Sequence, residues 1–363
     1  MENLGLSHAF WRDRRVFLTG HTGFKGSWLA LWLESMGAKV FGYALPPPTQ
    51  PNMFEAIRIE GHLSASTLGD LADIALLSAT LQAAQPEVVF HLAAQPLVRR
   101  SYACPVETFA TNVQGTVHLL EAIRGCPSVR AVVNITTDKC YENQEWPWGY
   151  RENDPLGGAD PYASSKACSE LVTAAYRQSF LAAAGVGVAT ARAGNVIGGG
   201  DWAEDRLIPD AFRAMDAGTP LVIRSPLAIR PWQHVLEPLS GYLMLAARLH
   251  GEGDTFSGAW NFGPSEGGAC SVANLLGCLA ESAPNFQWEQ DTTSQLHESS
   301  TLMLDSTRTR LRLGWQPRWD VPTALAKSLE WHQAWRQGGD MAELSRAQIR
   351  DHSRGEALGL DRP

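Results

Sequence analysis

The stretch that decides the fold is Thr19-Gly20-His21-Thr22-Gly23-Phe24-Lys25-Gly26. A short apolar run, Val16-Phe17-Leu18, precedes it, and a helical pattern from Ser27 to Met36 follows. Strand, tight glycine turn and helix together aim backbone N–H groups and a helix dipole at a dinucleotide pyrophosphate. The candidate cofactor contacts are therefore Gly20, His21, Thr22, Gly23, Phe24, Lys25 and Gly26, with the Lys25 ammonium in reach of a phosphate.

Outward from this loop the chain alternates. Lys39 to Tyr43 reads as a second strand, and Pro46-Pro47-Pro48 with Pro51 ends regular structure there. Asp73 to Ala84 reads as a helix and Glu87 to Leu92 as a buried strand. Phe109, Val113, Val117 and Leu120 recur at helical spacing, so 106–123 is an expected helix. Ala131 to Ile135 and Gly187 to Ala191 read as strands, with a helix from Tyr162 to Phe180 between them. Strands alternating with helices predict an α/β fold: a Rossmann-type doubly wound parallel sheet. After about residue 195, Gly198-Gly199-Gly200 and repeated prolines lengthen the loops. The expected division is a dinucleotide-binding domain over 1–194 that carries the catalytic residues. A smaller mixed, mainly substrate-binding region follows over 195–340, with a helix at 323–336, and 341–363 is a peripheral helix or tail.

Composition narrows the function. The chain has 363 residues, 44% hydrophobic and 19% charged, the balance of a soluble globular protein. A net charge of −8 without a long basic run argues against nucleic acid or an anionic membrane as the main partner. Six cysteines, none at CxxC spacing, read as reduced thiols in the cytoplasm. No signal peptide and no membrane span are expected from the apolar runs. His91, His234 and His250 have no ligand spacing, so no metal is expected.

The spacing Gly20-x-x-Gly23-x-x-Gly26 resembles that of the extended short-chain dehydrogenases/reductases. The acid that usually holds a ribose after the second strand is missing from Gly42-Tyr43-Ala44-Leu45, and no arginine stands there for a 2′-phosphate. NAD is the expected cofactor. Leu92, Ala93, Ala94 and Gln95 end the fourth strand, where small side chains let the backbone approach ribose and nicotinamide. By resemblance, Asp70-Leu71 sits at the adenine and Asn112 on the helix beneath the active site.

Tyr162-Ala163-Ser164-Ser165-Lys166 places a phenol and an ammonium on one helix face. A free tyrosine has a pKa near ~10, and a neighbouring cation favours its phenolate. Tyr162 then becomes a base that takes a hydroxyl proton while hydride leaves the carbon. Thr136-Thr137-Asp138-Lys139-Cys140-Tyr141 follows the fifth strand, at the sheet's carboxyl edge, and Thr136, Tyr162 and Lys166 are also expected cofactor contacts. A simple oxidation needs only the Thr137 hydroxyl there. A dehydration also needs an acid for the departing hydroxyl and a base for a carbon-bound proton, and Asp138 and Lys139 supply both types.

Thr137-Asp138-Lys139-Cys140-Tyr141-Glu142-Asn143 resembles the nucleotide-sugar 4,6-dehydratases, in the form found in the CDP-glucose branch. His21 to Trp28, Gln95 to Arg99, Gly200-Asp201-Trp202, Asp205 to Asp210 and Arg230 to Val235 carry the same resemblance, over about residues 10 to 336. It implies that Tyr162 takes the C4 hydroxyl proton as hydride passes to NAD. The C5 proton and the C6 hydroxyl are then lost, with Asp138 as acid, and hydride returns to C6. The product is a 4-keto-6-deoxy sugar nucleotide. Where relatives that use dTDP- or GDP-sugars carry glutamate, this chain has Lys139. A lysine base must be uncharged at working pH, which takes burial or nearby cations. Lys139 is either that base or a cation that stabilises the enolate.

A diphosphate substrate calls for guanidinium groups, and Arg206 and Arg230 are favoured over Arg224. Arg99, Asn195, Leu207, Trp232, His234, Asn261 and His297 complete the expected substrate contacts. A homodimer through the 106–123 and 162–180 helices is implied by analogy. Three alternatives stand: a nucleotide-sugar epimerase, a dehydratase for another sugar nucleotide, and a non-catalytic dinucleotide-binding protein.

Overall fold

The apolar runs of the N-terminal half become strands because both faces of each are covered. The computed structural model describes residues 7–265, 268–291 and 300–354. Six strands lie in the first part: β1 (Arg15–Thr19), β2 (Lys39–Ala44), β3 (Ala65–Leu68), β4 (Val88–His91), β5 (Ala131–Ile135) and β6 (Gly187–Ala193). A seventh, Gly258–Phe262, pairs outside β6. The order is seventh strand, β6, β5, β4, β1, β2, β3, all parallel. Direction of winding reverses between β1 and β4, so their carboxyl ends open the crevice where such sheets bind ligands.

Alternation along the strands feeds two cores. Val16, Leu18, Val88, Phe90 and Val133 face one core, with the helices Phe24–Ser35 and Leu236–Glu252. Phe17, Val89, Val132 and Val188 face the other, with the helices Ile74–Ala84 and Gly115–Arg124. A third core, holding Ile208, Phe212, Trp232, Leu276 and Leu325, lies in the C-terminal region. The doubly wound parallel sheet is thus as expected.

Three boundaries differ. The helix after the glycine turn starts at Phe24, inside the loop rather than at Ser27. The chain returns to the large sheet after residue 194, because Leu236–Glu252 packs on β5 and β6 and 258–262 adds a strand. Residue 194 therefore marks the first exit from the sheet, not its end. The helix Met341–Arg354 is not peripheral: Met341, Ser345, Gln348, Ile349 and His352 form its buried stripe. It packs on Phe24–Ser35, where Arg346 pairs with Glu34 at 3.0 Å, and His352 meets buried Glu237 at 3.0 Å.

Candidate active site

At the crevice, Gly20 adopts φ +78°, a left-handed conformation that glycine takes freely. A Cβ on Gly26 would fall 2.0 Å from the Gly20 carbonyl oxygen, so only glycine lets helix and loop cross this closely. Gly23 caps the helix, leaving its first N–H groups directed at the crevice. This cradle fits a dinucleotide pyrophosphate. Lys25 lies in the same loop; burial, then Arg206 and Lys166, push its pKa down to about 8.

The missing ribose acid has a structural counterpart. The His21 ring lies against the backbone of β2, and a Cβ on Gly42 would sit 2.4 Å from it. His21 Nε2 is hydrogen-bonded with Ser66 Oγ at 2.9 Å, and burial pushes its pKa down to about 4, so the ring is neutral. An uncharged imidazole thus fills the end of β2. Thr22 donates to the Leu45 carbonyl at 2.8 Å and closes the loop beside it.

Thr19 Oγ1 ties the crevice floor together, accepting from Ala93 N at 3.2 Å and bonding His91 Nδ1 at 2.7 Å. Burial, with Lys166 second, holds His91 down at about 3. Asn112 is buried in a π-helical turn, Ala110–Gln114. Its Oδ1 accepts from Gln95 N (2.8 Å), and its Nδ2 donates to the Gln95 carbonyl (3.1 Å) and to Ser165 Oγ (2.9 Å). It clamps the Leu92–Gln95 segment to the helix Pro161–Tyr176, so its contribution to the cofactor site is to hold that backbone. Leu71 is buried against Gly115, while Asp70 is exposed and accepts from Ala72 N in a turn. The N-cap of the following helix is Asp73.

The turn after β5 and the helix Pro161–Tyr176 bring Thr137, Asp138, Tyr162 and Lys166 into one neighbourhood. Thr137, Asp138, Tyr162 and Lys166 are all buried, Asp138 to 1% and Tyr162 to 8% exposure. Thr137 Oγ1 donates to Asp138 Oδ1 at 3.0 Å and lies close enough to Tyr162 to act on its phenol. Asp138 Oδ2 has no hydrogen-bond partner among the described residues. Burial pushes the Asp138 pKa up; Lys139, Thr137, Arg230 and Lys25 pull against this without cancelling it. A buried carboxyl held toward its protonated form is a proton donor in waiting. Lys139 is half-buried beside it.

Burial pushes the Tyr162 phenol up to about 12, with the Thr137 hydrogen bond and Arg206 pulling down and Asp138 pushing up. The free chain therefore keeps Tyr162 neutral. Its strongest cationic aid is Arg206 rather than the expected Lys166. Lys166 Nζ donates instead to the Ile135 carbonyl at 3.0 Å, and burial pushes its pKa down to about 8.

Several expected contacts serve other purposes. The Thr136 hydroxyl turns away from the crevice and donates to buried Glu170. His234 is fully buried between Trp28 and Trp319. Asn261 is also fully buried, accepting from Tyr141 and donating to the Tyr150 and Asp305 carbonyls. Trp232 belongs to the third core. Arg99 pairs with Asp205 at 3.0 Å, both half exposed, at the crevice rim. Arg206 pairs with Asp201 at 2.9 Å and lies near Lys25 and Tyr162. Leu207 is the first residue of the helix that Arg206 caps. Arg230 donates to the Ile229 carbonyl and lies close enough to act on Asp138. Asn195 lies just beyond β6, its carbonyl accepting from Gln233 N. His297 lies outside the described residues.

Sequence reasoning missed the support behind the turn. Glu170 and Arg192 form a buried bidentate ion pair, with N···O distances of 3.0 and 2.8 Å. Arg192 also donates to Tyr141 Oη at 2.8 Å. The available signal was an arginine inside an otherwise apolar strand, which requires a partner. No group of three or more His, Cys, Asp or Glu suited to a metal occurs among the described residues.

The family model described as GDP-mannose 4,6 dehydratase matches residues 17–328. The chain belongs to the GDP-mannose 4,6 dehydratase family. Among curated members, a CDP-glucose 4,6-dehydratase of Salmonella typhimurium is 52% identical, over 94% of this chain and 97% of that protein. A dTDP-glucose 4,6-dehydratase of Xanthomonas campestris is 27% identical over 88% and 94%. Among solved structures, MoeE5 in complex with UDP-glucuronic acid and NAD has a TM-score of 0.75 at 26% identity, over 88% of this chain and 99% of that one. In this dehydratase family member, then, the turn Thr137-Asp138-Lys139 stands in a sheet shared with an NAD complex.

Proposed function

We infer that the chain is an NAD-dependent CDP-glucose 4,6-dehydratase, a hydro-lyase that forms CDP-4-keto-6-deoxyglucose. The observation that carries the reaction type is Asp138: a buried carboxyl held toward its protonated form, hydrogen-bonded by Thr137, which lies beside the Tyr162 phenol. An epimerase needs no acid for a leaving hydroxyl. The choice of CDP-glucose is supported by the 52% identical Salmonella relative.

Bound at the Gly20–Gly26 cradle, NAD would supply hydride acceptance at C4 and hydride return at C6. Its positive nicotinamide would also add the charge that Tyr162 lacks in the free chain. Tyr162 takes the C4 hydroxyl proton, with Thr137 orienting that hydroxyl. The C4 ketone acidifies the C5 proton, and Asp138 gives its proton to the departing C6 hydroxyl. Lys139 acts at C5, as base or as the cation beside the enolate. Arg206 and Arg230 are the diphosphate contacts, with Arg99 and Asn195 at the rim.

A homodimer is supported by exposed apolar side chains on the two helices expected to pair. Val106 is 82% and Leu171 60% exposed, with Phe109 and Phe180 also open. No helix among the described residues is long and apolar enough to cross a membrane, and all six cysteines are free thiols. A cytoplasmic location accords with both. The deciding experiment incubates purified protein with CDP-, dTDP-, GDP- and UDP-glucose and follows loss of water by mass. Turnover confined to CDP-glucose is expected. Turnover of another sugar nucleotide in its place would overturn the substrate and keep the mechanism.

A further inference from the structure

The loop that holds Gly200-Asp201-Trp202 runs from the cofactor helix to the crevice rim. At one end the Gly199 carbonyl accepts from Trp28 Nε1 at 2.9 Å, on the helix Phe24–Ser35. A Cβ on Gly199 would fall 2.0 Å from the Trp331 ring, so the backbone packs directly on that indole. At the other end Asp205 reaches Arg99 on the helix Val98–Ala103. Between them Arg213 donates to the Trp202 and Ala203 carbonyls, both at 3.1 Å. The Asp201 side chain is only 5% exposed. Its Oδ1 accepts from Ala203 N at 3.1 Å, and its Oδ2 accepts from Arg206 Nη1 at 2.9 Å. Arg206 is 33% exposed and makes no other hydrogen bond among the described residues. Its Nε and Nη2 are left as a two-donor fork.

We propose, on the reading of the substrate as a sugar nucleotide, that Asp201 is a positioning residue that holds Arg206 ready for the substrate's diphosphate. A free arginine side chain samples many rotamers, and ordering it on binding weakens affinity by up to about tenfold. Asp201 orders Arg206 in advance, because its own carboxylate is fixed by burial and by the Ala203 N–H. One guanidinium nitrogen is taken by that grip, and the Nε–Nη2 fork matches two oxygens of a phosphate. Arg206 also acts on Lys25 and Tyr162, in line with a place between the glycine loop and the catalytic helix. Two effects of the Asp201 carboxylate oppose each other: its charge repels a phosphate, and its grip removes the ordering cost. Water around the partly exposed Arg206 screens the repulsion, so the grip prevails. The neighbouring Arg99–Asp205 pair is 43% and 41% exposed, and a pair so open to water orders its arginine far less.

The first measurement is calorimetry on NAD-loaded protein with CDP, dTDP, GDP and UDP, and it needs no turnover. Asp201→Asn keeps an oxygen for Ala203 N, so the loop turn survives, but it sets an NH2 group against Arg206. Asp201→Ser, whose hydroxyl also accepts from a backbone N–H two residues on, is a second variant with the same expected loss. For the diphosphate that wild type binds, each variant should raise Kd about tenfold. KM for the matching sugar nucleotide should rise by a similar factor with kcat nearly unchanged, and Kd for NAD should not move. In an Arg206→Met background, Asp201→Asn should add nothing further, because its effect passes through Arg206. Folded Asp201 variants with wild-type or tighter diphosphate affinity would overturn the proposal. So would an equal further loss in the Arg206→Met background, or a loss confined to NAD. A wild type that binds none of the four diphosphates would overturn it together with the sugar-nucleotide reading. A tenfold loss of diphosphate affinity in a protein that dehydrates none of the four glucose nucleotides would instead overturn the dehydratase reading and leave the Asp201 role standing.

Discussion

Asp138 and Glu170 are buried carboxylates on opposite sides of one catalytic turn, and their partners differ sharply. Asp138 accepts one hydrogen bond from Thr137 and leaves an oxygen without a partner among the described residues. Glu170 has both oxygens filled by Arg192 and two threonines. Burial of an ionised group is unfavourable unless donors replace its water. Glu170 has those donors and forms an ion pair; Asp138 does not, and is held toward its neutral form. The front of the turn is thus left reactive, and the back is built to hold it still.

The sharpest way to break this contrast is to change each carboxylate. Asp138→Asn removes the acid, so elimination should fall about 10²–10⁴-fold, the usual contribution of a positioned proton donor. Oxidation at C4 should persist, seen as NADH absorbance without loss of water. The same variant should be more stable than wild type at neutral pH. The folded-state pKa of Asp138 lies above its unfolded value, so wild type carries no penalty below the unfolded pKa. The penalty grows as pH rises through the folded pKa, where the buried group is driven to ionise. Melting curves for substrate-free protein should therefore diverge with rising pH and converge in acid. A variant less stable at neutral pH would contradict this account of Asp138.

The opposite result is expected behind the turn. Arg192→Leu strands Glu170 as a buried, unpaired charge, a loss of about 3–5 kcal/mol in stability. Urea unfolding followed by circular dichroism measures it. An unchanged midpoint would mean that water already reaches Glu170. Between these two sides lies Lys139→Met. It should slow elimination about 10²-fold while C4 oxidation continues, the scale of a lost general base. Retention of the full elimination rate would remove Lys139 from the C5 step.

How much of this was legible in the sequence depends on how local each interaction is. The glycine loop, Tyr162 and Lys166 were readable because their chemistry follows from spacing within one turn or one helix. Thr137-Asp138-Lys139 was readable from its place after an apolar strand. Glu170 continues the Tyr162–Lys166 spacing by one more turn. Its donors come from residues 136, 190 and 192, which only the parallel pairing of β5 and β6 brings together. His234 and Asn261 have the residue types of ligand contacts, yet their polar atoms face inward, toward the core and its buried backbone. The helix Met341–Arg354 is polar overall, and only five of its residues, Met341, Ser345, Gln348, Ile349 and His352, are buried.

The smallest prediction separates holding the turn from charging it. Tyr141 Oη accepts from Arg192 at 2.8 Å and donates to Asn261 Oδ1 at 2.7 Å, and its ring lies under the Arg192 guanidinium at 4.8 Å. Tyr141→Phe deletes both hydrogen bonds but keeps the ring and the Glu170–Arg192 pair. Asn261 and Arg192 each lose one of several partners, so the stability cost should be near 1 kcal/mol, the net worth of an ordinary hydrogen bond. Two residues, Lys139 and Cys140, separate Tyr141 from Asp138, and the 3₁₀ turn Asp138–Cys140 transmits any shift to the acid. The kcat for elimination should therefore drop a few-fold with KM unchanged. A stability loss as large as that of Arg192→Leu would show that the Tyr141 hydrogen bonds and the Glu170–Arg192 pair cannot be treated as separate supports, and the back of the turn would then act as a single unit.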